Sequence, residues 1–195
     1  MFSKCSSLKK LDLSSFNTNQ VENMKFMFNE CLSLEEINFS SLFNTNKVND
    51  FKYMFQNCSN LKKINLSTFN TDNAIDMSNM FSNCSSLEEI NLSSFNTHIV
   101  TNMSFMFNNC FLLKKLYISS LNTNEVTNMS FMFNNCFSLT ELDLSSFNTS
   151  KVENMSYMFN LCSSLKELDL TSFNTEAEYD MSSMFNECSS LKYIN

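Results

Sequence analysis

The stretch that decides the fold runs from Leu139 to Cys162 and reads LTELDLSSFNTSKVENMSYMFNLC. Its first part, Leu139-x-x-Leu142-x-Leu144, ends in alternating leucines, a pattern typical of a short strand with one buried face. In its second part, from Val152 onward, apolar residues recur at intervals of three and four, which indicates a helical or 3₁₀ segment. Each unit of this kind therefore combines a short strand with a second segment of different secondary structure.

The same pattern recurs along the whole chain. Aligned on Met-Phe-x-x-Cys, successive units are 26 residues apart, with a single spacing of 27 caused by an extra residue near Leu42-Phe43, where we expect a turn. Such regularity is the signature of a repeat architecture, and one unit buries too little apolar surface to fold alone. We therefore predict a single repeat solenoid over 1–195. Its unit starts are Met1, Met27, Met54, Met80, Met106, Met132, Met158 and Met184.

Two units and both ends depart from the pattern. The valine position holds Ala74 in one unit and Glu178 in another, with Ile75 and Tyr179 beside them, so we expect a local shift of the turn and looser packing. The chain begins inside one unit and stops at Asn195 inside a strand, without polar caps. We expect it to be a fragment of a longer array.

Composition narrows the classes of function. The net charge is −7 and no lysine run exceeds two residues, which argues against nucleic acid as a partner. No apolar run is long enough for membrane insertion within this chain. Phosphate-cradling loops need glycine, which is absent, and the single histidine, His98, has no matching nucleophile or acid. We therefore predict a protein that is not an enzyme and has no cofactor or metal site.

One cysteine marks each unit. The spacing lacks the clustered Cys-x-x-Cys ligands of a zinc site. In an in-register stack the cysteines form a column about 4.8–5 Å apart with parallel Cβ vectors, which disfavours disulfides. We interpret them as small buried apolar side chains. This cysteine column contains Cys5, Cys31, Cys58, Cys84, Cys110, Cys136, Cys162 and Cys188.

The strand segment offers an outward row of charged and polar residues. The pair inside Leu-x-x-Leu alternates between two lysines and two glutamates over the first five units, so opposite charges face each other if every strand pairs with the next. The row is either a structural ladder, with asparagines bonded to one another, or a partner-binding surface. The candidate contact residues, hereafter the strand face, are Lys10, Asp12, Glu36, Asn38, Lys63, Asn65, Glu89, Asn91, Lys115, Tyr117, Glu141, Asp143, Glu167 and Asp169.

An aromatic stripe marks the other part of the unit. The residue before Met-Phe is aromatic in five of seven units, and on a helical wheel it lies opposite the apolar face, toward solvent. A contiguous exposed row of this kind is an interaction or self-association site. The alternative is that the segment is not a regular helix and each ring covers a neighbouring turn. The stripe consists of Phe26, Tyr53, Phe105, Phe131 and Tyr157.

The complete motif, Leu-x-x-Leu-x-Leu-x-x-Phe-Asn-Thr-x-x-Val-x-x-Met-x-x-Met-Phe-x-x-Cys, closely resembles the BspA-like leucine-rich-repeat surface proteins, in the variant repeated in surface lipoproteins of wall-less bacteria. The resemblance covers the whole chain. It implies a leucine-rich-repeat-like solenoid of about seven 26-residue units, with a parallel β-sheet on one face and short helical, 3₁₀ or irregular turns on the other.

The resemblance also implies a function. Proteins of this family are typically secreted or surface-anchored and adhesive, so we expect a non-enzymatic domain that binds a protein or glycan partner through an extended face. A cytoplasmic scaffold or structural spacer is the alternative, which eight unpaired thiols suit. The family often has glycine before the cysteine. Here left-handed backbone is favoured only where that residue is asparagine, and it is unexpected at Lys4, Glu30, Leu161 and Glu187.

Overall fold

The computed structural model describes residues 1–174 and 180–195, and in these residues the chain forms short strands joined by turns, without a helix. All strands pair in parallel, in three two-stranded sheets with the orders β1-β2, β3-β4 and β5-β6. The predicted repeat solenoid, with parallel strands on one side and turns on the other, is confirmed. The strands are β1 (Lys10–Asp12), β2 (Glu36–Asn38), β3 (Glu89–Asn91), β4 (Lys115–Tyr117), β5 (Glu167–Leu168) and β6 (Tyr193–Ile194).

Each strand pair joins equivalent positions of adjacent units. In the first sheet Lys10 is in register with Glu36 and Asp12 with Asn38, an offset of one 26-residue unit. The central residue of each three-residue strand points inward and its neighbours point outward, as the pleat requires. The leucine alternation therefore fixes which side chains enter the core.

The sheet is not continuous, which corrects the expectation that charges face each other at every step. The segments that contain Lys63 and Glu141 are not strands in the structure. The first break follows the 27-residue unit, whose extra residue changes the spacing. At the second break, the segment that contains Glu141 and Asp143 pairs neither with β4 before it nor with β5 after it. The strand-face residues outside strands are Lys63, Asn65, Glu141, Asp143 and Asp169.

A second parallel ladder does run along the stack without a break. It is formed by single bridges between one Asn or Asp residue of each unit and its equivalent in the next. The side-chain oxygen of the bridging residue also accepts the backbone N–H two residues later, as Asn128 does from Ser130 at 2.9 Å. This ladder keeps the units in register where the sheet is interrupted. Its members are Asn23, Asp50, Asp76, Asn102, Asn128, Asn154 and Asp180.

Consecutive β-turns form the segment from the first methionine to the cysteine. Backbone N–H groups alternate between two kinds of acceptor: Met27 donates to Met24, three residues earlier, at 3.1 Å, whereas Phe28 donates to Met54 of the next unit at 2.9 Å. A helix would need bonds to the residue four positions earlier. Of the predicted helical, 3₁₀ and irregular turns, the segment therefore consists of non-helical turns. These turns leave alternate N–H groups free to bond the next unit.

These turns require positive φ at two positions in each unit. The residue before the cysteine has φ of 56 to 65° in all eight units, including Lys4, Glu30, Leu161 and Glu187, so the expectation of left-handed backbone only at asparagine was wrong. The stripe residue before Met-Phe also has positive φ, 58° at Phe26. Turn geometry and inter-unit bonds fix these angles in spite of the steric penalty of about 1–2 kcal/mol on each such residue.

A column of stacked phenylalanines runs through the core. Neighbouring ring centroids are 5.2 to 5.8 Å apart, with interplanar angles of 13° or less, and the six interior rings are fully buried. Offset or parallel aromatic pairs at this distance are favourable beyond their burial. The column consists of Phe2, Phe28, Phe55, Phe81, Phe107, Phe133, Phe159 and Phe185.

The departures from the repeat are accommodated locally. The additional residue of the 27-residue unit lies in a turn, where Leu42 is exposed, as expected. Ala74 is fully buried, and its N–H donates to Thr71 at 2.9 Å, as Val48 donates to Thr45. The expected shift of the turn at Ala74 was therefore wrong. The second departure, at Glu178 and Tyr179, lies outside the described residues.

Candidate binding surfaces

The strand face is the most continuous exposed row of variable side chains. Thirteen of its fourteen residues are exposed and Glu89 is half-buried, whereas the leucines and isoleucines between them point inward. The structure thus gathers these side chains on one side of the stack. Their spacing along the stack follows the repeat, one residue of each row per unit.

The Asp/Asn row of the strand face also stabilises turns. Oδ1 of Asp12 accepts the N–H of Ser14 at 2.9 Å, and Asp143 and Asp169 make the same bond at 3.0 and 2.9 Å. Hydrogen bonds favour the charged form and lower the pKa of the three carboxyl groups: the Ser145 hydroxyl is the main cause at Asp143, and the backbone N–H at Asp12 and Asp169. Asn38 donates to Asp12 at 3.1 Å, so one pair of side chains is also bonded across units. One oxygen of each aspartate is therefore committed to the fold.

One ion pair lies within the strand face and a second lies beside it. Lys10 lies 2.8 Å from Glu36, and Lys114 lies 3.5 Å from Glu88. The hydrogen bond to Glu36 raises the pKa of Lys10. Both side chains of the first pair are mostly exposed, at 73% and 62%, so water screens their attraction and the pair adds little to stability. These pairs fix side-chain positions rather than hold the stack together.

The last four units form a groove on the strand face. Its volume is about 710 Å³, and Tyr117, which is 45% exposed, lies on its wall. Four acidic side chains and two lysines are the charged residues of the lining. We call this region the acidic groove; its lining residues are Lys114, Lys115, Leu116, Tyr117, Glu141, Leu142, Asp143, Glu167, Leu168, Asp169, Tyr193 and Asn195.

The aromatic stripe is stacked and only partly exposed. Phe26 stacks on Tyr53 at 4.7 Å, and Phe131 stacks between Phe105 and Tyr157 at 4.6 Å from each. Phe26 is 39% exposed and the other four rings are half-buried, so the wheel-based expectation of a row pointing to solvent needs correction. The segment is not a helix, and each ring covers its neighbour in the next unit. Asn79 separates the two stacks.

The cysteine column lies in the interior. Six of its thiols are buried, Cys188 is partly buried and Cys5 is exposed, and all eight are free. The Sγ–H of Cys110 donates to the Phe81 carbonyl of the preceding unit at 3.2 Å, and six other cysteines make the equivalent bond. Burial raises the pKa of the Cys84 and Cys136 thiols to about 12. These thiols are therefore poor nucleophiles at neutral pH.

Sequence reasoning missed two interior polar ladders. In the part of the chain that the structure describes, the threonine after Phe-Asn or Leu-Asn is buried; Thr97 donates to the Asn122 carbonyl at 2.7 Å and accepts the Asn122 N–H at 2.8 Å. Asparagine amides also bond from unit to unit, as Asn160 donates to Asn134 at 2.6 Å. The recurrence of Thr and Asn at fixed positions was the available signal.

Within the described ranges 1–174 and 180–195, no group of three or more His, Cys, Asp or Glu side chains is placed to hold a metal ion. The same residues include no helix long and apolar enough to cross a membrane.

The architecture defines a leucine-rich-repeat solenoid, and solved structures share it. A leucine-rich repeat protein of T. pallidum is 19% identical and superposes with a TM-score of 0.55 over 88% of this chain and 72% of its own. A leucine-rich cell surface protein from Faecalibacterium prausnitzii is 16% identical, with a TM-score of 0.48. A chain of the Drosophila Toll–Spatzle complex is 18% identical, with a TM-score of 0.50. At these identities the likeness concerns the fold.

Coverage differs among these structures. The match to the F. prausnitzii protein includes all of this chain but only 61% of that protein. The match to the chain of the Toll–Spatzle complex includes 97% of this chain and 23% of the other. No curated protein sequence matches the chain significantly.

A family described as "Mycoplasma protein of unknown function, DUF285" matches residues 1–110 and 75–194. The two matches together extend from residue 1 to residue 194, so the chain belongs to this family. The resemblance to BspA-like leucine-rich-repeat proteins is thereby confirmed.

Proposed function

We propose that this chain is a non-enzymatic, adhesin-like binding module, secreted or held at the cell surface, whose strand face contacts a protein partner. The observation that carries the proposal is the contrast between the two sides of each strand. Inward positions repeat as Leu or Ile, with Phe39 in one unit, whereas the exposed positions between them change from Lys to Glu, Thr or Tyr. A scaffold that holds its interior constant and varies one extended surface is suited to recognition.

The chemistry of the interior supports a role without catalysis. The cysteines are the side chains whose deprotonated form would be the most reactive nucleophile, and burial holds the pKa of Cys58 and Cys110 well above the ordinary value. Thiolate, the reactive form, is therefore scarce at neutral pH. His98 is exposed and its ring nitrogen contacts Asn96 at 3.0 Å, which offers no acid–base partner for a reaction.

Two similarities support partner binding at the surface. The repeat resembles that of BspA-like surface proteins. A leucine-rich-repeat chain of similar fold occurs in the Toll–Spatzle complex, which is an assembly of proteins. A glycan partner is the alternative occupant of the same face.

The test is a binding screen with matched variants. The immobilised chain is exposed to a panel of host extracellular-matrix proteins and glycans, and binding is measured by surface plasmon resonance. The variant Lys63→Glu/Tyr117→Ser alters the strand face, whereas Lys25→Glu/Ile75→Ser makes the same kinds of change at exposed residues elsewhere. We expect the first to weaken binding about tenfold or more and the second less than about twofold. Equal losses would contradict the assignment of the strand face.

Location is tested separately. An antibody against the chain should label intact cells without permeabilisation. Labelling only after permeabilisation would favour the cytoplasmic scaffold.

A further inference from the structure

The strand face changes its electrostatic character along the stack. Over the first five units lysines and glutamates alternate, and opposite charges meet, as in the pair Lys10–Glu36. Beyond β4, the strand-face residues are all acidic. They are Glu141, Asp143, Glu167 and Asp169, and all four line the acidic groove.

These four carboxylates outnumber the two lysines of the groove lining, Lys114 and Lys115. Within residues 1–174 and 180–195, none of the four carboxylates forms an ion pair. Of the two lysines on the groove wall, Lys114 pairs with Glu88, and Lys115 is in register with Glu89, both in the preceding unit. Lys166, which precedes one of the four in the sequence, is not part of the lining.

The carboxylates also repel one another. Glu141 and Glu167 occupy equivalent positions of adjacent units, about 4.8 Å apart along the stack if the units follow strand spacing, as do Asp143 and Asp169. The strand pairing that would lie between these two units is absent. A cation bound among these groups relieves repulsion that the protein itself leaves uncompensated.

We infer that the acidic groove binds an extended segment of a partner protein that carries two or more lysine or arginine residues. Opposite charge selects the cationic side chains, and Tyr117 provides an exposed ring on which a guanidinium or ammonium group stacks. The groove spans three unit steps, roughly 14 Å, which an extended peptide covers with about four to five residues. This inference rests on the proposed function and specifies the chemistry of its partner.

The experiment uses a fluorescein-labelled peptide of alternating lysine and alanine, with the glutamate–alanine peptide as its counterpart, and fluorescence anisotropy as the readout. The groove variant is Glu141→Gln/Asp143→Asn/Glu167→Gln/Asp169→Asn. Asparagine preserves the turn bond, since Asn65 and Asn91 accept the same N–H from Ser67 and Ser93 at 3.0 and 2.8 Å. We expect the intact chain to bind the lysine peptide and the variant to bind it about tenfold more weakly.

A matched control separates the groove from net charge. The variant Glu22→Gln/Glu30→Gln/Glu153→Gln/Glu187→Gln removes four negative charges away from the strand face, so both variants change the net charge from −7 to −3. The control should lose less than about twofold, and Tyr117→Ser alone should lose about threefold. Equal loss in both quadruple variants, or equal binding of the two peptides, would overturn the inference.

Failure of this inference and failure of the proposed function are distinguishable. If the lysine peptide does not bind but Lys63→Glu/Tyr117→Ser still abolishes capture of a matrix protein, only the charge specificity is wrong. Thermal unfolding of each variant confirms that the fold is intact before binding is compared.

Discussion

The residue before each cysteine has left-handed backbone in all eight units, and its side chain decides whether this geometry is well supported. In three successive units the asparagine amides also bond from unit to unit: Asn109 donates to Asn83 at 2.6 Å, and Asn135 donates to Asn109. The row then stops at Leu161. As a result, Oδ1 of Asn135 is buried without a hydrogen-bond partner. Leu161 thus has an unfavourable backbone conformation, and its side chain cannot donate a hydrogen bond to the buried Oδ1 of Asn135.

Replacing that leucine should therefore stabilise the protein. In Leu161→Asn, the new amide extends the row to Asn135 and asparagine tolerates positive φ, so we expect the free energy of unfolding to rise by about 1 kcal/mol, measured by urea denaturation. Leu161→Ala, which cannot donate, should not be stabilised. If Asn135→Ala/Leu161→Asn retained the whole gain, the hydrogen bond would not be its cause.

At the scale of the element, adjacent units are joined by polar side chains as much as by strands. The outward strand residues and the exposure of Tyr117 were predictable because a leucine every second residue fixes the faces of a strand. The turns were not, because Val152, Met155 and Met158 recur at intervals that helices and successive β-turns share. The turn bond of Asp12 was predictable, since aspartate and asparagine side chains commonly accept the backbone N–H two residues later. The breaks in the sheet were not predictable either, because they depend on contacts between units and the pattern within one unit does not describe those contacts.

The buried threonine column gives a test at this scale. Thr97→Val keeps the shape of the side chain but leaves the N–H and carbonyl of Asn122 without their buried partner. We expect a loss of about 2–4 kcal/mol in unfolding free energy. Thr97→Ser keeps the hydroxyl and should lose only about 1 kcal/mol, for the missing methyl group. Equal losses in chemical denaturation would show that packing, not hydrogen bonding, holds this junction.

At the scale of the whole molecule, the stack depends on contacts between neighbouring units, and each interior ring of the phenylalanine column touches one ring on either side. Phe107 is fully buried and stacks on Phe81 at 5.6 Å and on Phe133 at 5.8 Å, whereas Phe185 is partly buried and stacks on Phe159 in the column. Stability in such arrays is approximately a sum of unit and interface contributions. A central defect therefore weakens two interfaces, whereas a defect at Phe185 weakens its single interface with Phe159.

This difference predicts how the molecule unfolds. Phe107→Ala should lower the unfolding free energy by about 3–5 kcal/mol, and Phe185→Ala by clearly less, because its ring is less buried and has one stacking partner. The central variant should also unfold in two resolved steps, since the weakened interfaces let the units on either side melt separately. Urea denaturation followed by far-ultraviolet circular dichroism and by intrinsic tyrosine fluorescence measures both effects. A single coincident transition with equal losses in the two variants would mean that the stack unfolds as one cooperative body, with stability not set by nearest-neighbour interfaces.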